Sequence, residues 1–200
     1  MATTDRRTRR TRAALRHALV ELAVERGFGQ VTVEEVTERA DVGRATFYTH
    51  FRDKEALYDD VVSALIAELA VRTRPDDAEG QGFTGRPLRA LFVHAAEESA
   101  GYRMILRGDG DGRARRALVA ALVDAAESVF RARVVDAGVE PRMDLTLLAR
   151  AWVGEQVEVL LWWLESDGVM PLDEVVDMLA DLSRYGRRWA TGFAVDAPEG

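Results

Sequence analysis

Between Thr32 and His50 the chain allots two short helices, 32–40 and 44–50, and leaves only Asp41, Val42 and Gly43 to join them. Thr32 and Glu35 form a T-x-x-E capping box, which fixes where the first helix begins. Three residues allow nothing but a tight turn, and the pair has helix-turn-helix dimensions. The second helix crowds Thr46, Phe47, Tyr48, Thr49, His50 and Phe51 behind Gly43 and Arg44. β-Branched and aromatic residues are mediocre helix formers, and this run shows no obvious amphipathic face. Its neighbours must therefore hold it.

Those neighbours also read as helices. Ala13 to Arg26 spaces Ala14, Leu15, Ala18, Leu19, Leu22 and Ala23 along one face, and Gly27 stops it. Asp53 is a good N-cap for a longer helix, Lys54 to about Thr73, with Leu57, Val61, Leu65 and Leu69 on one stripe. Residues 72–87 are rich in Gly and Pro and mark a boundary. Further helices are predicted at about 87–100, 102–107, 113–137, 142–166 and 171–191, with Gly138/Pro141 and Gly168/Pro171 separating the last three. No strand signal and no internal repeat is present, so the fold class is all-α: an N-terminal three-helix, helix-turn-helix domain and a C-terminal helical domain, about nine helices in all. The expected domains are residues 1–55 and 56–200, linked by the helix 53–73 and followed by a loop at 74–86.

Charge divides the chain in the same place. The net charge is −7, which alone argues against a nucleic-acid partner. Yet residues 1–55 hold 11 of the 27 basic and 9 of the 34 acidic side chains, leaving 16 basic against 25 acidic beyond. Within the first 20 residues, Arg6, Arg7, Arg9, Arg10, Arg12 and Arg16 face Asp5 alone. A positive arm on an acidic body suits a chain that meets phosphate at one end only. Cysteine is absent and the most apolar stretch, Val159 to Leu164, is far short of a bilayer span. With no apolar leader segment after the arginines, a cytoplasmic chain with no membrane partner is expected.

In a helix-turn-helix the second helix lies in the major groove and its N-terminal residues reach base edges. Arg44 can pair bidentately with guanine, and the Thr46 methyl can touch a thymine methyl. Tyr48 and His50 can donate to phosphates, while Phe47 and Phe51 anchor the helix on its core. Lys54 is the one lysine beside 26 arginines, and it opens the following helix, where an ammonium and a helix N-terminus can grip one phosphate.

The segment "GFGQVTVEEVTERADVGRATFYTHFRDKEALYDDVV", with the Ala13 helix before it, resembles the TetR family of one-component bacterial repressors. Matching positions are Gly27, Phe28, Thr32, Ala40, Thr46, Tyr48, His50, Phe51, Lys54 and Leu57. The resemblance implies phosphate contacts by Thr32, Tyr48, His50 and Lys54, and base contacts near Arg44, Ala45, Thr46 and Thr49. Gly43 departs from the pattern, since the family often has a serine N-cap there, at a cost of about a few tenths of a kcal/mol.

The same resemblance implies a homodimer that reads two half-sites of a double-stranded, pseudo-palindromic operator. Its interface would form from the last two helices, here with Leu160, Trp162, Leu164, Val175, Leu179 and Leu182 as candidates. It also implies an effector cavity in the second domain. Trp152, Gln156, Val159 and Trp163 share one stripe of the 142–166 helix, and Phe92, Ala95 and Ser99 share one on the 87–100 helix, with Tyr102 and Met104 nearby. Aromatic walls with a few polar groups suit a small apolar or aromatic effector, although an ordinary packed core has the same pattern. Trp162 points about 80° away from Trp152 on a helical wheel and belongs at the subunit interface or surface.

Other signals are set aside. Gly80 to Gly85 satisfies G-x-G-x-x-G, but a helix and Asp76, Asp77 and Glu79 precede it where a dinucleotide site needs a strand. "GDGDG" at 108–112 has Arg113 and Ala120 where a calcium loop needs ligands. His17, His50 and His94 lack metal-ligand spacing, and the paired acids Glu34-Glu35, Asp59-Asp60 and Glu97-Glu98 diverge by about 100° on a helix. Neither a cofactor, a metal site nor an enzyme is expected. The predicted function is a dimeric transcriptional regulator, a repressor released by a small molecule. Its rivals are a DNA-binding factor without ligand control and a cofactor-binding enzyme using residues 80–85.

Overall fold

The capping box of Thr32 sets the frame from which the rest of the N-terminal region is hung: its hydroxyl accepts from the Glu35 N–H, and the Glu35 carboxylate accepts from the Thr32 N–H at 2.9 Å. In the computed structural model, which describes residues 2–73, 85–108, 111–166 and 169–191, every regular element is helical. In chain order these are α1 Ala2–Arg26, α2 Val33–Arg39, α3 Arg44–His50, α4 Lys54–Arg72, α5 Gly85–Glu97, α6 Ser99–Leu106, α7 Arg113–Ala137, α8 Leu145–Glu165 and α9 Leu172–Ala190, with one short 3-10 turn at Phe28–Gln30. The loop expected at 74–86 lies outside the described residues up to 84, as do nearly all of the Gly80–Gly85 motif and Asp109 of the glycine-aspartate run.

The chain divides into two compact units. The first holds residues 1–68 and 98–121, the second 69–97 and 122–200.

In the first unit α1 packs on α2, α6 and the 3-10 turn, and α2 on α3. The fully buried Leu15, Leu19, Val36, Phe47, Leu57, Tyr102 and Ile105 form its core. α1 begins eleven residues before the expected Ala13, since the arginines of the arm are good helix formers. Gly27 ends it at φ 84°, a region closed to most side chains, and its N–H caps the Ala23 carbonyl. α6 lies close against α4 at Gly101, where an added Cβ would stand 2.9 Å from Leu65 Cδ1.

In the second unit α5 packs on α8 and α9 around Leu88, Phe92, Ala95, Val153, Leu160 and Val175. The expected 87–100 helix breaks at Glu98, with φ −107° and ψ 36°, so Ser99 opens a new helix instead of continuing the stripe of Phe92 and Ala95. α9 is interrupted at Gly186, whose φ of 79° and ψ of 175° are not helical.

Candidate nucleic-acid interface and ligand cavity

Gly43 takes the N-cap position of α3 as expected, and the turn before it is built on other residues. Ala40 is right-handed helical and its N–H closes on Val36. Asp41 then takes the left-handed conformation, φ 52°, which aspartate tolerates better than most residues. Gly43 is ordinary extended backbone, φ −63°, caps α3 only through its carbonyl, and has room for a side chain. The reversal of chain direction therefore falls on Asp41.

α3 has two sides. Phe47 is completely buried and meets the rings of Tyr48 and Phe51 at 5.3 and 5.9 Å, with Phe51 also buried. Arg44, Ala45, Thr46, Tyr48 and Thr49 are exposed, Tyr48 by 56%, and His50 is half-buried. The aromatic residues that make α3 a poor isolated helix are thus its anchor, and its polar residues face outward together with Thr32. Arg44 has only a loose ion pair with Glu34, 3.7 Å between two well-exposed side chains, and such pairs contribute about 0–1 kcal/mol. The Thr49 hydroxyl donates to the Ala45 carbonyl, and the Thr32 hydroxyl to Glu35. Hydrogen bonds from the Thr32 hydroxyl and N–H, then the Arg26 guanidinium, hold the Glu35 carboxyl below the usual carboxylate range.

Lys54 is half-buried against the 3-10 turn. Its Nζ donates to the carbonyls of Phe28, Gly29 and Val31 at 3.1, 3.3 and 2.8 Å, and it stands 4.7 Å from the centre of the Phe28 ring. An ammonium has three N–H donors, so a phosphate contact by Lys54 would have to displace one of these carbonyls. The Phe28 carbonyl also accepts from the Val31 N–H that closes the 3-10 turn, and Lys54 adds a second donor to it.

Arg12 and Arg16 of α1 both bind the Asp60 carboxylate of α4, Arg16 at 2.6 Å, and Arg12 also lies over the Phe51 ring. Burial works to raise the Asp60 pKa, but the hydrogen bonds from Arg16 and Arg12 outweigh it and leave the carboxyl below its ordinary value. This triad clamps α1 and α4 about the end of α3. The charge pattern of the arm had suggested only phosphate for these arginines.

The family model for bacterial regulatory proteins of the tetR family matches residues 15–61, the span that holds all of these features. Residues 15–61 carry the DNA-binding region of the TetR family. The chain is 28% identical over 177 residues to the HTH-type transcriptional activator FasR of Mycolicibacterium smegmatis, covering 83% of this chain and 78% of that one. Over 66 residues it is 36% identical to an uncharacterized HTH-type regulator, YxbF, of Bacillus subtilis, and there it spans 32% of its own length and 17% of the relative. Its fold matches a putative TetR-family regulator from Syntrophomonas wolfei at TM-score 0.73 and 16% identity, covering 94% and 98% of the two chains. It also matches Thermus thermophilus FadR, solved with lauroyl-CoA, at TM-score 0.65 and 23% identity, covering 94% and 98%. This is a TetR-family transcriptional regulator with a DNA-binding helix-turn-helix, and its relatives and fold are those of regulators, not enzymes.

The second unit of this regulator contains a cavity of about 50 Å³. Leu91, Ala126, Val129, Phe130 and Val153 supply apolar wall, and Thr73, Trp152 and Gln156 the polar groups. Of the seven expected effector-site residues, Trp152 and Gln156 line it. Phe92 and Trp163 pack on one another at 5.9 Å elsewhere in the same unit, with Trp163 Nε1 donating to the Met170 carbonyl. Ser99, Tyr102 and Met104 belong to the first unit, where Tyr102 and Met104 are core. The wall contributed by α7 was missed. Leu122, Ala125, Ala126, Val129 and Phe130 all line the cavity at i, i+3, i+4, i+7 and i+8, a spacing legible in the sequence.

Of the six interface candidates, Leu160, Leu164, Val175 and Leu179 are buried within the chain, Leu182 is half-buried and Trp162 is 49% exposed. Met178 and Tyr185 on α9 and Leu147 on α8 are exposed apolar or aromatic residues that were not among them. Among the described residues no helix is long and apolar enough to cross a membrane, and no acidic or histidine cluster could hold a metal.

Proposed function

We propose that this regulator is a homodimeric repressor that binds a pseudo-palindromic operator and leaves it when a small molecule occupies the second unit. The observation that carries the DNA-binding part is the two-sidedness of α3: Phe47 is fully buried, while Arg44, Ala45, Thr46, Tyr48 and Thr49 are exposed as one surface. Inserted in a major groove, that surface puts Arg44 within reach of guanine and Tyr48 and His50 beside phosphates. Such a regulator works in the cytoplasm, where the chromosome is.

One copy reads one half-site, and two half-sites on the same face of B-DNA lie about 34 Å apart. Trp162 and Met178, exposed on the last two helices, support a dimer through α8 and α9. Ligand control is supported by the cavity and by the neighbour FadR, which was solved with lauroyl-CoA. The effector shifts the operator-bound and released states by its differential affinity for them. A second reading, activation, is favoured by FasR, which is named an activator and aligns with most of this chain.

The test is fluorescence anisotropy of labelled DNA from the region flanking the protein's own gene, with wild type and Tyr48→Ala at two salt concentrations. Saturable, salt-sensitive binding lost in the variant is expected. Affinity equal to random DNA and indifferent to both salt and Tyr48→Ala would overturn the role given to α3. A promoter-reporter fusion carrying the bound fragment separates repression from activation.

A further inference from the structure

We infer that the cavity of the second unit takes a small, uncharged molecule: an apolar body carrying one neutral head that donates to Gln156 and accepts from Trp152, as a carboxamide does. This deepens the ligand-controlled reading above and rests on it.

Gln156 is 1% exposed, its Nε2 makes one long contact with Glu155 at 3.4 Å, and its Oε1 is buried without a hydrogen-bond partner. One helical turn earlier, Trp152 Nε1 is also buried without a partner. Both residues line the cavity, and the i, i+4 spacing puts them on one face of α8. Buried polar groups are almost always paired, so an acceptor and a donor left open on one cavity wall are an unusual combination. Trp163 shows the ordinary arrangement, with its Nε1 given to the Met170 carbonyl at 2.8 Å.

The head that complements this pair must offer both a donor and an acceptor. An ester or aldehyde can only accept from Trp152, and an ammonium can only donate to Gln156. The head must also be neutral. No charged side chain is among the described residues lining the cavity, and the nearby Glu155 carboxylate is held by Arg187 at 2.5 Å. A carboxylate or ammonium would lose its hydration there with no counter-charge. The volume, about 50 Å³, is well below the roughly 150 Å³ of a cavity that takes benzene, so a short chain fits as it stands and a ring such as that of benzamide enters only as the walls move.

Isothermal titration calorimetry of the full chain with benzamide, benzoate and toluene separates these terms. Benzamide should bind at least about tenfold more tightly than benzoate or toluene, as expected where unmet polar groups find partners. Gln156→Leu, which keeps the site filled, should erase the preference for benzamide over toluene while leaving toluene binding intact. Trp152→Phe, which keeps the ring and removes the N–H, should weaken benzamide in the same way. The proposal is overturned if benzoate binds as well as benzamide, if both variants keep the preference, or if none of the three binds at millimolar concentration. Anisotropy on the same samples distinguishes the two readings. Benzamide that binds as described yet leaves DNA affinity unchanged removes ligand control and not the chemistry of the cavity.

Discussion

Asp41 is the residue on which the helix-turn-helix pivots, and its left-handed backbone makes it sensitive to what replaces it. Asp41→Val, β-branched and unable to bond locally, should lower the stability of the chain by about 1–2 kcal/mol in urea denaturation. Gly43→Ser, at extended backbone with open space, should change it by no more than a few tenths of a kcal/mol. Glycine content marks a turn in a sequence, but only φ values assign the strained position, and here they assign it to Asp41. Lys54 has partners that its local sequence does not announce. Its position at the start of a helix suggested phosphate, and the carbonyls it also bonds come from residues 28–31, more than twenty residues away in the chain. Lys54→Met keeps the stem and loses three charge-assisted hydrogen bonds, and should destabilise the chain by about 2 kcal/mol, read by the same urea titration.

Between elements, the Arg12–Asp60–Arg16 triad is the contact that ties α1 to α4. Asp60 is ionised more readily in the folded chain than in the unfolded one, so the stability it contributes is present above the ordinary aspartate pKa. That contribution falls as the pH drops through the ordinary range toward the lowered folded value. Asp60→Asn should therefore lower the melting temperature at neutral pH and flatten the loss of stability on acidification, which melting curves across pH will show. Helix positions and the α2–α3 motif were legible from periodicity and capping. The triad was not, because its partners lie 44 and 48 residues apart and nothing local links them. Gly101 is similar: as a mid-helix glycine it carries no message until Leu65 is found against it. Gly101→Val should cost about 1–3 kcal/mol through overpacking, again visible in the melting temperature.

At the scale of the molecule, a net charge of −7 coexists with a DNA-binding face because the sign changes along the chain. Operator affinity should fall steeply with salt, and Arg44→Ala should cost about 1–3 kcal/mol and relax preference at a single base position, measured by anisotropy against mutated operators. The second unit was less legible than the first. Apolar stripes on α5, α8 and α9 look alike whether they line a cavity, fill a core or await a partner, and only packing sorts Trp152, Trp163 and Trp162 into those different surroundings. The solitary lysine has one more consequence, for the bench. Apart from the terminal amine, Lys54 is the chain's one target for amine-selective reagents and lysine-specific proteases, and three carbonyls hold it. Its rate of acetylation or cleavage becomes a clock for opening of the first unit, a built-in reporter that needs no label.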